Sequence, residues 1–173
     1  MTGLGGLDIL IHAVGINDRR PVLGTDRATW DRILSINLSS AFDIGQAAGR
    51  HFVEQAYGRM VLFSSVSGLL AHPNHAPYAV SKGGMNQLLK VMAIEWADRG
   101  VTVNGVAPGY TDSALTAAHL AQPGVRDGLE AMVPAGRLGT LDDVVGPVLF
   151  LCSDRSAFMT GQVLYVDGGR ILD

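Results

Sequence analysis

The sequence predicts an α/β fold built on a doubly wound parallel sheet. Short apolar runs alternate along it with longer stretches of helical periodicity, the pattern of strands joined by helical crossovers. The 173 residues are 47% hydrophobic and only 6% aromatic, which is enough apolar material for a packed core. Glycine accounts for 22 residues, roughly twice ordinary usage, and so implies many tight turns or close backbone approaches. With no internal repeat and no low-complexity linker, residues 1–173 read as a single domain.

The elements follow in order. Gly3-Leu4-Gly5-Gly6 has no strand before it and no helix after it, so it reads as a turn and not as a phosphate-binding loop. Leu7–Val14 is a first buried strand. A long helix follows over Asp26–Gln55, with Ile33, Leu34, Leu38, Ala41, Phe42, Gly45 and Ala48 in one stripe. Arg59–Ser65 is the second strand. From Tyr78 a helix carries Met85, Leu88, Leu89, Met92, Ala93 and Trp96 on one face and ends at Arg99-Gly100. Val101–Val106 is the third strand, and the polar, Gly/Pro-punctuated stretch to Leu138 has the length of a lid or binding segment. Thr140 and Asp143 have capping-box spacing at the start of a helix over Asp142–Cys152, in which Pro147 introduces a kink. Gln162–Val166 is the fourth strand. Right-handed crossovers would put helices on both faces of the sheet.

Composition also limits the function. A net charge of −3 gives no basic field for nucleic acid. No apolar run approaches the roughly 20 residues that span a bilayer, and no basic segment precedes Leu7–Val14 as in a signal peptide. The single cysteine, Cys152, precludes an internal disulfide framework and suits a reducing compartment. These features predict a cytoplasmic protein without membrane or nucleic-acid partners.

Several residues have chemical potential. Tyr78 and Lys82 stand at i and i+4 on one helix face. An ammonium there would stabilise the phenolate and pull its pKa down from about 10, although the same spacing occurs on ordinary solvated helices. Ser65 closes the second strand, where its hydroxyl faces the ligand side of an α/β sheet or simply caps a turn. Asn37 lies on an apolar stripe, so it is either a satisfied core amide or a residue that holds water or bends the helix at a site. Ala107-Pro108-Gly109 directly follows a strand, bringing backbone near any flat ligand, with Thr111 and Ser113 available to bond an amide. His72 and His75 have no third ligand at metal spacing, so they are loop residues or pocket lining.

Together these residues resemble the short-chain dehydrogenase/reductase family. Asn37, Ser65, Tyr78 and Lys82 match its catalytic set, with Ser-x12-Tyr-x3-Lys at the family's spacing. VNGVAPGYTDS resembles the segment that closes over the nicotinamide. GRLGTLDDVVGPVLFLCSDRSAFMTGQVLYVDGG resembles the family's C-terminal signature. The resemblance implies a Rossmann-like fold and hydride transfer between NAD or NADP and a small-molecule carbonyl or alcohol. In it Tyr78 is the general acid/base, Ser65 polarises the carbonyl, and Asn37 positions a proton-relay water. Lys82 binds the nicotinamide ribose and lowers the tyrosine pKa. Gly15, Tyr78, Lys82, Pro108, Gly109, Thr111 and Ser113 are the cofactor-binding positions, and no metal is implied.

Ser113 stands where the family usually has Thr and Thr111 where it has an aliphatic residue, and the chain departs further in two places. The first strand and the T-G-x-x-x-G-x-G loop, with the residue that selects NAD or NADP, have no counterpart. N-N-A-G reads His12-Ala13-Val14-Gly15. The expectation is therefore a truncated sheet of about four strands whose Leu7–Val14 edge is covered by a partner chain or a second copy. Helices Asp26–Gln55 and Tyr78–Arg99 commonly pair subunits in the family, which also points to a homo-oligomer. Two other functions fit the departures: a cofactor-free pseudoenzyme, scaffold or partner subunit, or a non-redox acid–base enzyme using Ser65 and Tyr78.

Overall fold

Four strands form one parallel sheet in sequence order, β1-β2-β3-β4. They are β1 (Ile9–His12), β2 (Gly58–Phe63), β3 (Val101–Pro108) and β4 (Val163–Val166). The computed structural model describes residues 6–172, so most of the Gly3–Gly6 turn lies outside the described residues. Strand pairing is in register from Ile9 with Arg59, through Gly58 with Val101, to Gly105 with Val163.

Side chains alternate across the central strands and define two cores. Met60, Leu62, Val101 and Val103 join a cluster with Phe52, Met85 and Leu89, beneath helices α2 (Ser40–Gln55) and α3 (Ala76–Trp96). Val61 and Val106 face the other way, against Val144, Val148 and Leu151 of α6 (Leu141–Cys152). The sheet therefore carries helices on both faces. Every residue of β2 except Phe63 is buried, as a central parallel strand requires.

The long helix expected over Asp26–Gln55 is interrupted. Helix α1 (Arg27–Leu34), capped by the Asp26 side chain on Thr29 N–H, passes into a π-helical turn at Ser35–Ser39 before α2 begins. The Ser40 N–H reaches back to Ser35 O, while the Ser40 hydroxyl donates to Ile36 O at 2.5 Å. That hydroxyl replaces a backbone donor within the widened turn.

Elsewhere the boundaries shift by a few residues. Leu7–Val14 contributes only four residues to the sheet, and β3 runs on through Pro108. The stretch after β3 is not a bare loop, since it holds two short helices, α4 (Ala117–Leu120) and α5 (Val125–Glu130). The capping box at Thr140 and Asp143 forms with both reciprocal bonds, and α6 runs through Pro147. Among the described residues no helix is long and apolar enough to cross a membrane.

Candidate active site

The carboxyl ends of β2 and β3 open onto a cavity of about 660 Å³. In parallel α/β sheets ligands bind in this position, beyond the strand ends. Gly15, Ser65, Tyr78, Lys82, Pro108, Gly109, Thr111 and Ser113 all line it. The opposite wall is apolar and comes from Ile11 of β1 and Val144, Val145 and Val148 of α6. Asn37 stands behind the lining. A Cβ placed on Gly15 would meet its Oδ1 at 3.6 Å and Lys82 Nζ at 3.4 Å, so Gly15 borders both groups at ordinary van der Waals distance.

Ser65 is fixed by its own turn. It N-caps the short helical turn Val66–Gly68, accepting from Ser67 N–H at 3.1 Å. With that lone pair occupied, the Ser65 hydroxyl proton remains free to point at a ligand oxygen, and Tyr78 lines the same cavity.

Lys82 is 3% exposed, and its Nζ donates to Phe63 O at 2.6 Å. An ammonium has three donors, and the other two have no protein acceptor among the described residues. Burial lowers its pKa from 10.5 to about 8. Lys82 is thus a desolvated cation with spare donors beside a cavity, which suits a ligand rich in oxygen acceptors.

The expected effect of Lys82 on Tyr78 is not what the structure gives. The phenol pKa is raised because burial outweighs its stabilisers, which are Ser65 and then the charge of Arg19. Lys82 Nζ lies 5.7 Å from the Tyr78 ring centroid and is bonded to Phe63 O. Tyr78 is therefore held protonated at neutral pH.

Asn37 is fully buried in the π-turn. Its Oδ1 accepts from Ile16 N–H at 2.8 Å, and its Nδ2 donates to Ile16 O at 2.9 Å and Ser81 Oγ at 3.1 Å. The amide thereby ties the segment after Gly15 to both helices. Its side chain has no N–H left to hold a water.

The glycine in Pro108-Gly109 has a packing cause. A Cβ there would fall 2.8 Å from Asp167 Cα, so the close approach is to the chain after β4 and not to a ligand. Thr111 and Ser113 face the cavity, but their hydroxyls are held locally. Thr111 Oγ1 donates to Gly109 O at 3.2 Å, and Ser113 Oγ pairs with Thr116 Oγ1 at 3.2 Å. No group of histidine, cysteine or carboxylate residues among the described residues could hold a metal.

Arg19 lies in an aperiodic loop beside Arg20; it is exposed and does not line the cavity, whereas Arg20 pairs with Asp18 (2.6 Å) and Asp26 (3.3 Å).

A parallel α/β sheet thus brings a serine, a tyrosine and a buried lysine together at its carboxyl edge. A family model described as enoyl-(acyl carrier protein) reductase matches residues 1–170. Gluconate 5-dehydrogenase of Gluconobacter oxydans is 41% identical over 96% of this chain, which spans 65% of that protein's length. The 3-oxoacyl-[acyl-carrier-protein] reductase of Escherichia coli is 38% identical over 97% of this chain and 68% of its own length. The crystal structure of a gluconate 5-dehydrogenase from Burkholderia cenocepacia, in complex with NADP and tartrate, superimposes with a TM-score of 0.97 at 37% identity. That match covers 99% of this chain and 68% of the other. The chain belongs to the short-chain dehydrogenase/reductase family, and it spans about two-thirds of the length of these relatives.

Proposed function

We propose that this chain is the catalytic portion of an NAD(P)-dependent oxidoreductase acting on a small-molecule carbonyl or alcohol. The observation that carries this reading is Lys82, a buried cation with two unused donors, on the same cavity wall as the hydroxyls of Ser65 and Tyr78. The residues present fit the nicotinamide end of the cofactor. Lys82 has donors for ribose hydroxyls, and the flat space between the Gly15 and Pro108 backbones and the apolar wall of α6 suits a ring. When bound, the cofactor supplies or accepts the hydride.

The remaining steps belong to the chain. Ser65 donates its hydroxyl to the substrate oxygen, and Ser67 N–H holds that serine in place. Tyr78 keeps its proton until negative charge develops on the oxygen, then delivers it, because burial disfavours the free phenolate. Lys82 stays bonded to Phe63 O, with its two other donors available to the ribose hydroxyls. In the oxidation direction the order reverses, with Tyr78 accepting the alcohol proton. Asn37 fixes the floor of the site through Ile16.

Calorimetric titration with NADH and with NADPH tests the reading, and saturable binding of either is expected. Tyr78→Phe should lower turnover by about 10²–10⁴-fold with cofactor binding unchanged. Absence of any saturable cofactor binding would refute autonomous redox catalysis and favour a cofactor-free role.

A further inference from the structure

The cavity wall holds Ser65, Tyr78 and Lys82, and what holds Ser65 lies one layer deeper. Tyr78 and Lys82 begin a row along α3 whose next member, again four residues on, is Asn86. Asn86 does not line the cavity. It is half-buried against the turn that carries Ser65, where a carboxamide needs partners.

The partners stand on both flanks of Ser65. The Ser64 hydroxyl donates to Asn86 Oδ1 at 2.5 Å, and Asn86 Nδ2 donates to Gly68 O at 3.3 Å. A carbonyl can only accept, so Gly68 O fixes which way the amide faces and leaves Oδ1 for Ser64. Gly68 in turn donates its N–H to Ser65 O at 2.9 Å. One side chain thus clamps the residue before Ser65 and the residue that closes its turn.

The fit leaves no slack. A Cβ on Gly68 would fall 2.9 Å from Lys82 O and 2.8 Å from Asn86 Nδ2, so the turn rests directly on the α3 backbone at Lys82. The strand end has holds of its own, since Lys82 Nζ donates to Phe63 O at 2.6 Å and Ser64 N–H donates to Val106 O at 2.8 Å. The sheet and Lys82 therefore fix the chain up to Ser64. Beyond it, Asn86 ties the turn down.

We propose that Asn86 is a positioning residue of the site: by holding Ser64 and Gly68 it sets the Ser65 hydroxyl against the face of α3 that carries Tyr78 and Lys82. Asn86 touches no reacting group and acts through Ser65. The effect on turnover rests on the oxidoreductase reading, whereas the clamp on the turn does not.

Amide hydrogen exchange on the full chain reads the clamp directly. Asn86→Leu keeps the volume and removes both polar atoms. In it the Gly68 and Leu69 amides should exchange about tenfold or more faster, while those of Leu89 and Met92 further along α3 keep their rates. Asn86→Asp keeps an acceptor for Ser64 but offers no donor to Gly68 O, and should fall between. Unchanged exchange at Gly68 and Leu69, or an equal acceleration throughout α3, overturns the clamp. Turnover of NADPH with 2,3-butanedione as the probe carbonyl reads the consequence. Asn86→Leu should lower kcat about tenfold or more with the NADPH Kd unchanged, and should cost nothing further in a Ser65→Ala background. Wild-type kcat in Asn86→Leu, or an additive loss in that background, overturns the action through Ser65. Absence of NADPH binding by the wild type sinks the oxidoreductase reading alone, because the exchange rates decide the clamp without turnover.

Discussion

Lys82 shows what the site costs the fold. Its pKa falls from 10.5 to about 8 because burial penalises the charged form. Below pH 8 both folded and unfolded chains hold the proton, and the folded state carries the full penalty, about 3 kcal/mol. Between pH 8 and 10.5 the unfolded chain retains a proton that the folded chain has released, so stability rises with pH across that window. Lys82→Met removes the penalty together with the bond to Phe63 O. It should therefore stabilise the protein by about 2 kcal/mol at pH 7 and flatten the rise toward pH 10, as measured by urea unfolding at both values. Tyr78, Lys82 and Ser65 were legible because an i, i+4 pair and a strand-terminal serine leave a pattern in the sequence. The raised tyrosine pKa was not, because it depends on burial, which spacing does not encode.

At the scale of elements, the sequence stripes locate the helices well, and contact between helices explains what they omit. The Asp26–Gln55 stripe is apolar almost throughout, so nothing in it marks the π-turn except Asn37, a polar residue on a buried face. Gly45 and Gly49 also look like weak points in a helix, yet they are where α2 meets α3. A Cβ on Gly49 would fall 2.5 Å from the Trp96 ring, and one on Gly45 would fall 2.9 Å from Met92 Cε. Gly49→Ala should accordingly destabilise by about 1–3 kcal/mol in thermal or urea unfolding. Gly128, in α5, has nothing within 4 Å of such a Cβ. There the ordinary helix preference should prevail, and Gly128→Ala should stabilise by about 0.5–1 kcal/mol.

At the scale of the molecule, β1 is the feature with the largest consequence. It pairs with β2 on one side only, and Ile9 and Ile11 remain 42% and 47% exposed. The face of α6 beside it exposes Leu141, Val145 and Leu149. The apolar run Leu7–Val14 identified the strand and implied a buried one, but Ile9 and Ile11 are exposed because no strand covers its second edge among the described residues. An unpaired parallel edge flanked by apolar side chains invites pairing with another chain. Sedimentation at micromolar concentration should give a weight-average mass above the 18.2 kDa of one chain, and Ile11→Lys should shift it toward that value. A monomer at all concentrations would show that this edge is tolerated in water.

The π-turn at Ser35–Ser39 adds a constraint of a different kind. It is held from three sides: Asn37 on Ile16, the Ser40 hydroxyl on Ile36 O, and His12 Nε2 on that same hydroxyl at 3.0 Å. An α-helix turns about 100° per residue, so deleting one residue here would still leave a helix while rotating everything before it by that angle. Asp26 and Ile33 would then point elsewhere, although every remaining letter was unchanged. The loop at Arg19 and Arg20 is tethered to α1 through Asp26, so it would be displaced as well. This stretch therefore tolerates changes of spelling far better than changes of length.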